Sequence, residues 1–252
     1  MPLAQKSAPS CSRWEELTES LRFMLEAARA ADIPTEFRLL NGSEPISIGG
    51  GLDRADEGYA VLKSIFDGQP RGGTPICKHI KEVIAKIRAK EAELRSSRRR
   101  ACVVICTDGI SSDGDLLTAM KPLETLPVWV VIRLCTDDKK IVEYWNEIDH
   151  QLEVELDVLD DFASEAEEVI AANPFLTYGL PLHRMREFGL YAKEFDILDS
   201  ANLSHGQMHS LIAALLGGSK EDYPNPAYNF EDFMTVLNLR LQRNPLIHDP
   251  CK

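Results

Sequence analysis

The sequence predicts an α/β fold: a three-layer, doubly wound, mostly parallel sheet followed by a C-terminal helical extension. Three observations predict it. Apolar runs rich in β-branched residues at 101–106, 128–134 and 152–159 have the continuous character of strands covered on both faces. Helical segments alternate with them through short links, which is the pattern of consecutive βαβ units. After Asn173-Pro174 that rhythm stops, and only helical periodicity remains.

The elements follow in order. From Arg13 to Ala31, Trp14, Leu17, Leu21, Met24, Leu25 and Ala28 recur at spacings of three and four, with Ser12 as N-cap and Pro34 beyond the end. Residues 35–40 alternate and stop at Asn41-Gly42, a strand closed by a turn. The Gly49-Gly50-Gly51 bend leads into a helix over 54–66. Gly72-Gly73-Thr74-Pro75 then opens a longer helix to about Arg95, with Thr74 as N-cap and Pro75 at the first helical position. Beyond the strand at 101–106 come a helix over 116–123, a strand over 128–134, a helix over 141–148, a strand over 152–159 and a helix to Ala172. The tail carries helices over 206–216 and 230–241, separated by Tyr223-Pro224-Asn225-Pro226. The domain plan is therefore an irregular segment 1–12, an α/β domain 13–173 and a helical extension 174–252.

Composition narrows the function. With 28 Lys and Arg against 40 Asp and Glu, the formal charge of −12 disfavours nucleic acid and anionic lipid as partners. The basic run Arg95 to Arg100 reads as the close of a helix, where cations complement the dipole. No apolar stretch reaches the roughly 20 residues of a membrane span, and the first residues lack the apolar core of a signal peptide. A cytoplasmic protein is expected. Cys102, Cys106 and Cys135 lie in apolar runs, and no two of the six cysteines form C-x-x-C, so they read as reduced core residues.

Open parallel sheets bind ligands at the carboxyl ends of their strands. That edge holds Thr74, Asp108, Asp137, Asp138, Asp160 and Asp161. Hydroxyl and carboxylate oxygens suit a hard cation such as Mg²⁺, yet Thr and Asp ahead of helices are also the preferred N-caps. Residue type and spacing leave both readings open.

Gly72-Gly73-Thr74-Pro75 ahead of a helix, Val103-Val104-Ile105-Cys106-Thr107-Asp108-Gly109 closing an apolar strand, and Ser112-Asp113-Gly114-Asp115 after it resemble a von Willebrand factor type A (vWA) domain, a Rossmann-like fold, over roughly 13–173. The resemblance implies a non-enzymatic protein-interaction module. It also implies a metal-ion-dependent adhesion site with Thr74 as second-loop hydroxyl and Asp108 as third-loop carboxylate, around Mg²⁺, Mn²⁺ or Ca²⁺, an acidic side chain of a protein partner completing the shell. In that family an Asp-x-Ser-x-Ser loop after a central first strand supplies the remaining ligands. Here no such loop precedes Arg13; Ala8-Pro9-Ser10-Cys11-Ser12 has the serine spacing without the Asp. The expectation is a chain that begins just after its own metal motif, with a cation bound weakly or not at all.

Other constellations are weaker. His205 and His209 stand at i and i+4, but Gly206 occupies the place of the Glu in the H-E-x-x-H metalloprotease motif. Cys77 and His79 fall on different helix faces, Asp113-Gly114-Asp115 does not continue into a calcium loop, and Gly49-Gly50-Gly51 lacks the P-loop Lys. Two further function classes remain beside the interaction module: a metal-dependent hydrolase using Asp108 with Asp137 or Asp138, and a structural domain whose edge is all caps.

Overall fold

The computed structural model describes residues 12–42, 44–51, 55–136, 138–190 and 192–243. The fold is α/β. Helix α1 (Arg13–Ala30) opens with a capping box between Ser12 and Glu15, as its sequence predicts. Strands β1 (Thr35–Phe37) and β2 (Ile46–Ile48) form an antiparallel pair, in register Thr35↔Ile48. Helices α2 (Ala55–Phe66) and α3 (Ile76–Ser96) follow. Then β3 (Ala101–Thr107), α4 (Leu116–Met120), β4 (Val128–Leu134), α5 (Lys139–Gln151) and β5 (Leu156–Leu159) build a parallel sheet in the order β3-β4-β5. Helices α6 (Phe162–Ala172), α7 (Leu180–Glu187), α8 (His205–Leu216) and α9 (Phe230–Arg243) follow among the described residues.

Several expectations change. The strand expected over 35–40 ends at Phe37, and its partner β2 went unpredicted because three residues are too few to set an alternation. The strand expected from 152 begins at Leu156: α5 runs on to Gln151, and the Leu152 N–H still bonds back to the carbonyls of Ile148 and Asp149. The helix expected over 116–123 changes at Met120 into a 3₁₀ turn, Lys121–Thr125, where Pro122 has no N–H to offer an α-helical ladder. Helix α7 was not expected at all. Its sequence, Leu-Pro-Leu-His-Arg-Met-Arg-Glu, lacks an apolar stripe.

The described chain divides into two compact units. One runs to Ser164 and takes back Leu180–Leu190; the other comprises Glu165–Gly179 and the residues from Ala192. In the second unit, the fully buried Asn173 donates to the carbonyls of Leu198 and Ala201 and accepts from the Leu203 N–H. Ala213, Tyr223 and Phe233 form its apolar cluster.

In the first unit, both faces of β4 are covered. Val128, Val130, Ile132 and Leu134 pack with α3, α4 and α5 through Ile80, Ile84, Leu116, Met120 and Trp145. Trp129, Val131 and Arg133 point the other way. Arg133, 1% exposed, is a charge in the middle of an apolar strand. It donates to Glu187 at the end of α7 and to Glu16 of α1. Glu187 also accepts from Ser20 (3.1 Å) and Arg184 (2.8 Å), and lies 3.4 Å from His183 Nε2. The adjacent Arg186 meets Asp157 of β5 at 3.4 Å. A helix without an apolar stripe is thus seated by buried charges. Gly189 lets the chain after α7 pass β3: a Cβ there would lie 2.2 Å from Cys102 Sγ.

Burial opposes ionisation of Glu187, but the His183 hydrogen bond and the Arg133 charge outweigh it and hold the carboxyl at about 2, against an ordinary 4.5. A depressed carboxylate contributes stability above its unfolded value and loses it as pH falls through the folded one. Unfolding free energy should therefore drop from about pH 4.5 towards pH 2. Glu187→Gln should lower stability at pH 7 by about 3–5 kcal/mol, since it removes the buried carboxylate that Arg133 shares with Arg184 and leaves Arg133 only the partly exposed Glu16 as counter-charge. It should also flatten that acid slope. Urea denaturation across pH checks both, and an unchanged slope in the Gln variant would contradict the assignment.

Candidate functional site

The carboxyl ends of β3 and β4 carry the residues of interest. Thr107 closes β3, and its Oγ1 accepts from the Gly109 N–H and donates to the Gly109 carbonyl, both at 3.2 Å. The buried Trp145 of α5 donates its Nε1–H to the same carbonyl at 3.2 Å. This fixes the 107–109 turn and leaves Asp108 at its tip, with a side chain 58% exposed. Arg13, the first residue of α1, faces Asp108 at 3.9 Å.

Thr74 lies beside this turn: a Cβ built on Gly109 would stand 3.9 Å from Thr74 Oγ1. The loop before α3 is held by residues distant in sequence. Thr74 N–H donates to Ser112 Oγ (3.1 Å), and Ser112 N–H donates to the Thr74 carbonyl (2.9 Å). Asn41 Nδ2 donates to the Gly73 carbonyl at 2.8 Å. Gly72, at φ +94, lies so close that a Cβ would meet the Asn41 amide at 2.5 Å. Two of the expected edge residues, Thr74 and Asp108, are therefore brought together.

Thr74 is not the cap of α3. The helix starts at Ile76 with Pro75 in the cap position and no side-chain bond from it. The cap comes from across the edge, where Asp113 accepts from the N–H groups of Cys77 (2.9 Å) and Lys78 (2.8 Å) and from Ser111 Oγ (2.8 Å). Desolvation opposes charge on Asp113, but the Ser111 hydrogen bond and the Lys78 and Cys77 N–H groups hold its carboxyl below the ordinary value. A carboxylate already fills the N-terminus of α3, where donors and dipole favour an anion.

Two of the other acidic residues, Asp138 and Asp161, are caps. Asp138 accepts from Lys140 N–H at 3.0 Å, and Asp161 accepts from Ala163 N–H at 2.9 Å and from the Ser164 N–H and hydroxyl. Asp160 is half-buried beside them, and Asp137 lies outside the described residues. Elsewhere, His209 is a core histidine whose Nε2 lies 3.1 Å from the Tyr223 carbonyl and whose ring meets Phe233 edge-on, while His205 is exposed. His79 Nε2 lies 3.0 Å from the Leu40 carbonyl, and Cys77 Sγ lies 3.2 Å from Ser111 Oγ. Burial pushes the Cys135 thiol up to about 12 and the Cys106 thiol upward too, so neither is a thiolate at neutral pH.

A divalent cation such as Mg²⁺ wants about six oxygens. Thr74 and Asp108 offer a hydroxyl and one carboxylate, and a guanidinium already stands against that carboxylate. Among the described residues no three His, Cys, Asp or Glu side chains gather in a metal-holding group. By themselves, Thr74 and Asp108 do not make up a tight cation site. Sequence reasoning missed Arg13, Asn41, Ser112 and the capping role of Asp113; only Ser111-Ser112-Asp113, a run of cap-forming residues that precedes no helix directly, was a signal.

Replacing Asp113 with Ala should lower the urea midpoint of the chain without changing the slope, and should loosen the 72–75 and 111–113 loops together. Hydrogen exchange at the Cys77 and Lys78 amides reads this directly; protection equal to wild type would refute the cross-loop cap. No described helix is long and apolar enough to cross a membrane. Comparison with known proteins gives no match: no family model, no curated protein and no solved structure matches this chain.

Proposed function

We propose that the protein is a non-catalytic, vWA-like interaction module that engages a protein partner at the carboxyl edge of its parallel sheet, around Thr74 and Asp108. The observation that carries the reading is the placement of an exposed carboxylate on a fixed turn directly beside Thr74. Rigid loops at such an edge are where open α/β sheets present their recognition groups. The element order of βαβ units supports a doubly wound arrangement, with helices over both faces of β4. Catalysis is not part of the reading, because the hydroxyl–carboxylate pair described at this edge, Ser111 with Asp113, is committed to capping α3.

Metal is a minor contributor at most in this reading, since two side-chain donors leave most of a cation's shell to water or to the partner. The acidic side chain expected of the partner then meets Arg13 and the Thr74 hydroxyl more directly than a bound ion. Titration with Mn²⁺ should show no saturable binding tighter than ~1 mM, the weak end of the range for oxygen-ligand sites. A photo-crosslinking residue at the exposed position 110 should capture a partner whose yield falls at least several-fold in Asp108→Ala and is unchanged in Asp56→Ala, a surface position on α2. Equal yields from the two variants, or tight Mn²⁺ binding that Asp108→Ala abolishes, would overturn the metal-poor interaction reading.

A further inference from the structure

The parallel sheet ends at β3, and the backbone there faces outward in a defined way. Ala101 N–H donates to the Pro127 carbonyl and Cys135 N–H donates to the Thr107 carbonyl, each at 2.9 Å. With the register running from Ala101↔Val128 to Thr107↔Leu134, residues 101, 103, 105 and 107 turn their N–H and C=O groups towards β4. Cys102, Val104 and Cys106 must turn theirs to the other edge. Among the described residues nothing pairs with those groups.

Edge strands normally carry a guard against pairing: a Lys, a Pro, a bulge or an inward charge. The seven residues of β3, Ala-Cys-Val-Val-Ile-Cys-Thr, have none of these. The sequence is also self-complementary about Val104. Read outward from that residue, Val103 matches Ile105, Cys102 matches Cys106, Ala101 matches Thr107 and Arg100 matches Asp108. An antiparallel pair of two such strands sets like sizes opposite each other and opposite charges at both ends. A parallel pair would set Arg100 beside Arg100 and Asp108 beside Asp108. Arg100 and Asp108 are about half exposed, each in a solvent-facing ion pair, with Glu155 and Arg13 respectively, that is cheap to exchange.

We propose that the outer edge of β3 is a self-association surface, on which a second copy of this chain adds its own β3 antiparallel about a two-fold axis at Val104. The two sheets then run on as β5-β4-β3 joined to β3-β4-β5 of the second copy. Cys102, Val104 and Cys106 supply the inter-chain ladder, with Val104 opposite Val104 and Cys102 opposite Cys106. The interface is isologous; it uses Asp108 as the counter-charge to Arg100 of the second copy, but its backbone ladder does not rest on the role proposed for Thr74 and Asp108.

The full chain should sediment at twice its 28.2 kDa mass in a nanomolar to high-micromolar concentration series. Val104→Pro, which removes an outward N–H from an edge position where Pro is sterically tolerated, should return it to monomer with its circular dichroism retained. Mild oxidation supplies an independent reading. Cys102 and Cys106 of one strand are ~13 Å apart, too far to bridge, so a Cys102–Cys106 disulfide peptide reports the second copy. Across an antiparallel hydrogen-bonded pair their Cα atoms come to ~5.5 Å, within bridging distance. If Val104→Pro does not fold, Arg100→Asp decides: like charges at both ends of the paired strands should weaken the dimer at least several-fold in the same concentration series, and an unchanged dimer overturns the surface. A chain that stays monomeric at every concentration, its edge left to a strand from elsewhere, overturns the proposal, as does a dimer that persists in folded Val104→Pro.

Discussion

Arg133 is the constraint around which the first unit is arranged. A guanidinium on the central strand of a parallel sheet cannot face a purely apolar layer, because an unpaired buried charge costs several kcal/mol. Its partners come from segments far apart in sequence: Glu16 near the start of the chain and Glu187 after the second unit has begun. Arg184 and Ser20 then complete the carboxylate of Glu187, and Arg186 reaches Asp157. The seating of α7 follows from this. A helix with the sequence Leu-Pro-Leu-His-Arg-Met-Arg-Glu has no apolar stripe to bury, so polar complementarity selects its place. Such pairs add little net stability over a well-packed apolar alternative, but they permit one docking geometry and penalise others.

The same economy of side chains governs the strand-carboxyl edge. Acidic residues there have two competing uses, as helix caps and as ligands, and a carboxylate committed to backbone N–H groups is poorly placed for anything else. Asp113, Asp138 and Asp161 are committed in this way. Asp108 stands apart, exposed at the tip of a turn that Thr107 and Trp145 hold rigid, with Arg13 opposite. At an edge that reads as uniformly acidic in sequence, Asp113, Asp138 and Asp161 are thus structural, and Asp108 is presented to solvent. The two strand systems add a second asymmetry. β1 and β2 pair with each other, β3 to β5 form a separate parallel sheet, and β3 is left with an apolar edge.

Much of the parallel sheet was legible. The runs at 101–106 and 128–134 are long, continuous and β-branched, so burial on both faces dictates strand whatever lies around them. The amphipathic stripe of α1 and the Ser12 capping box were equally local signals. Short or unstriped elements were not legible. β2 has three residues, and α7 has a helix with no periodicity. At the site, Thr74 and Asp108 were identified by local motifs, whereas Asn41, Ser112 and Arg13 join them only through contacts spanning tens of residues. The Thr-Pro pair ahead of α3 has the composition of an N-cap, yet a hydrogen-bonded loop and a distant Asp override it.

By itself, then, the sequence determined the α/β class, the strands of the parallel sheet and the residue types at its carboxyl edge, because hydrophobic periodicity and capping chemistry act over a few neighbouring residues. The tertiary structure alone decided which carboxylates are consumed as caps, which charge partners hold Arg133 inside the protein, and where α7 lies. The Asp113 cap and the Arg133–Glu187 pair depend on polar groups meeting across 36 and 54 residues of chain. Burial makes such meetings obligatory without leaving a local pattern that names the partner.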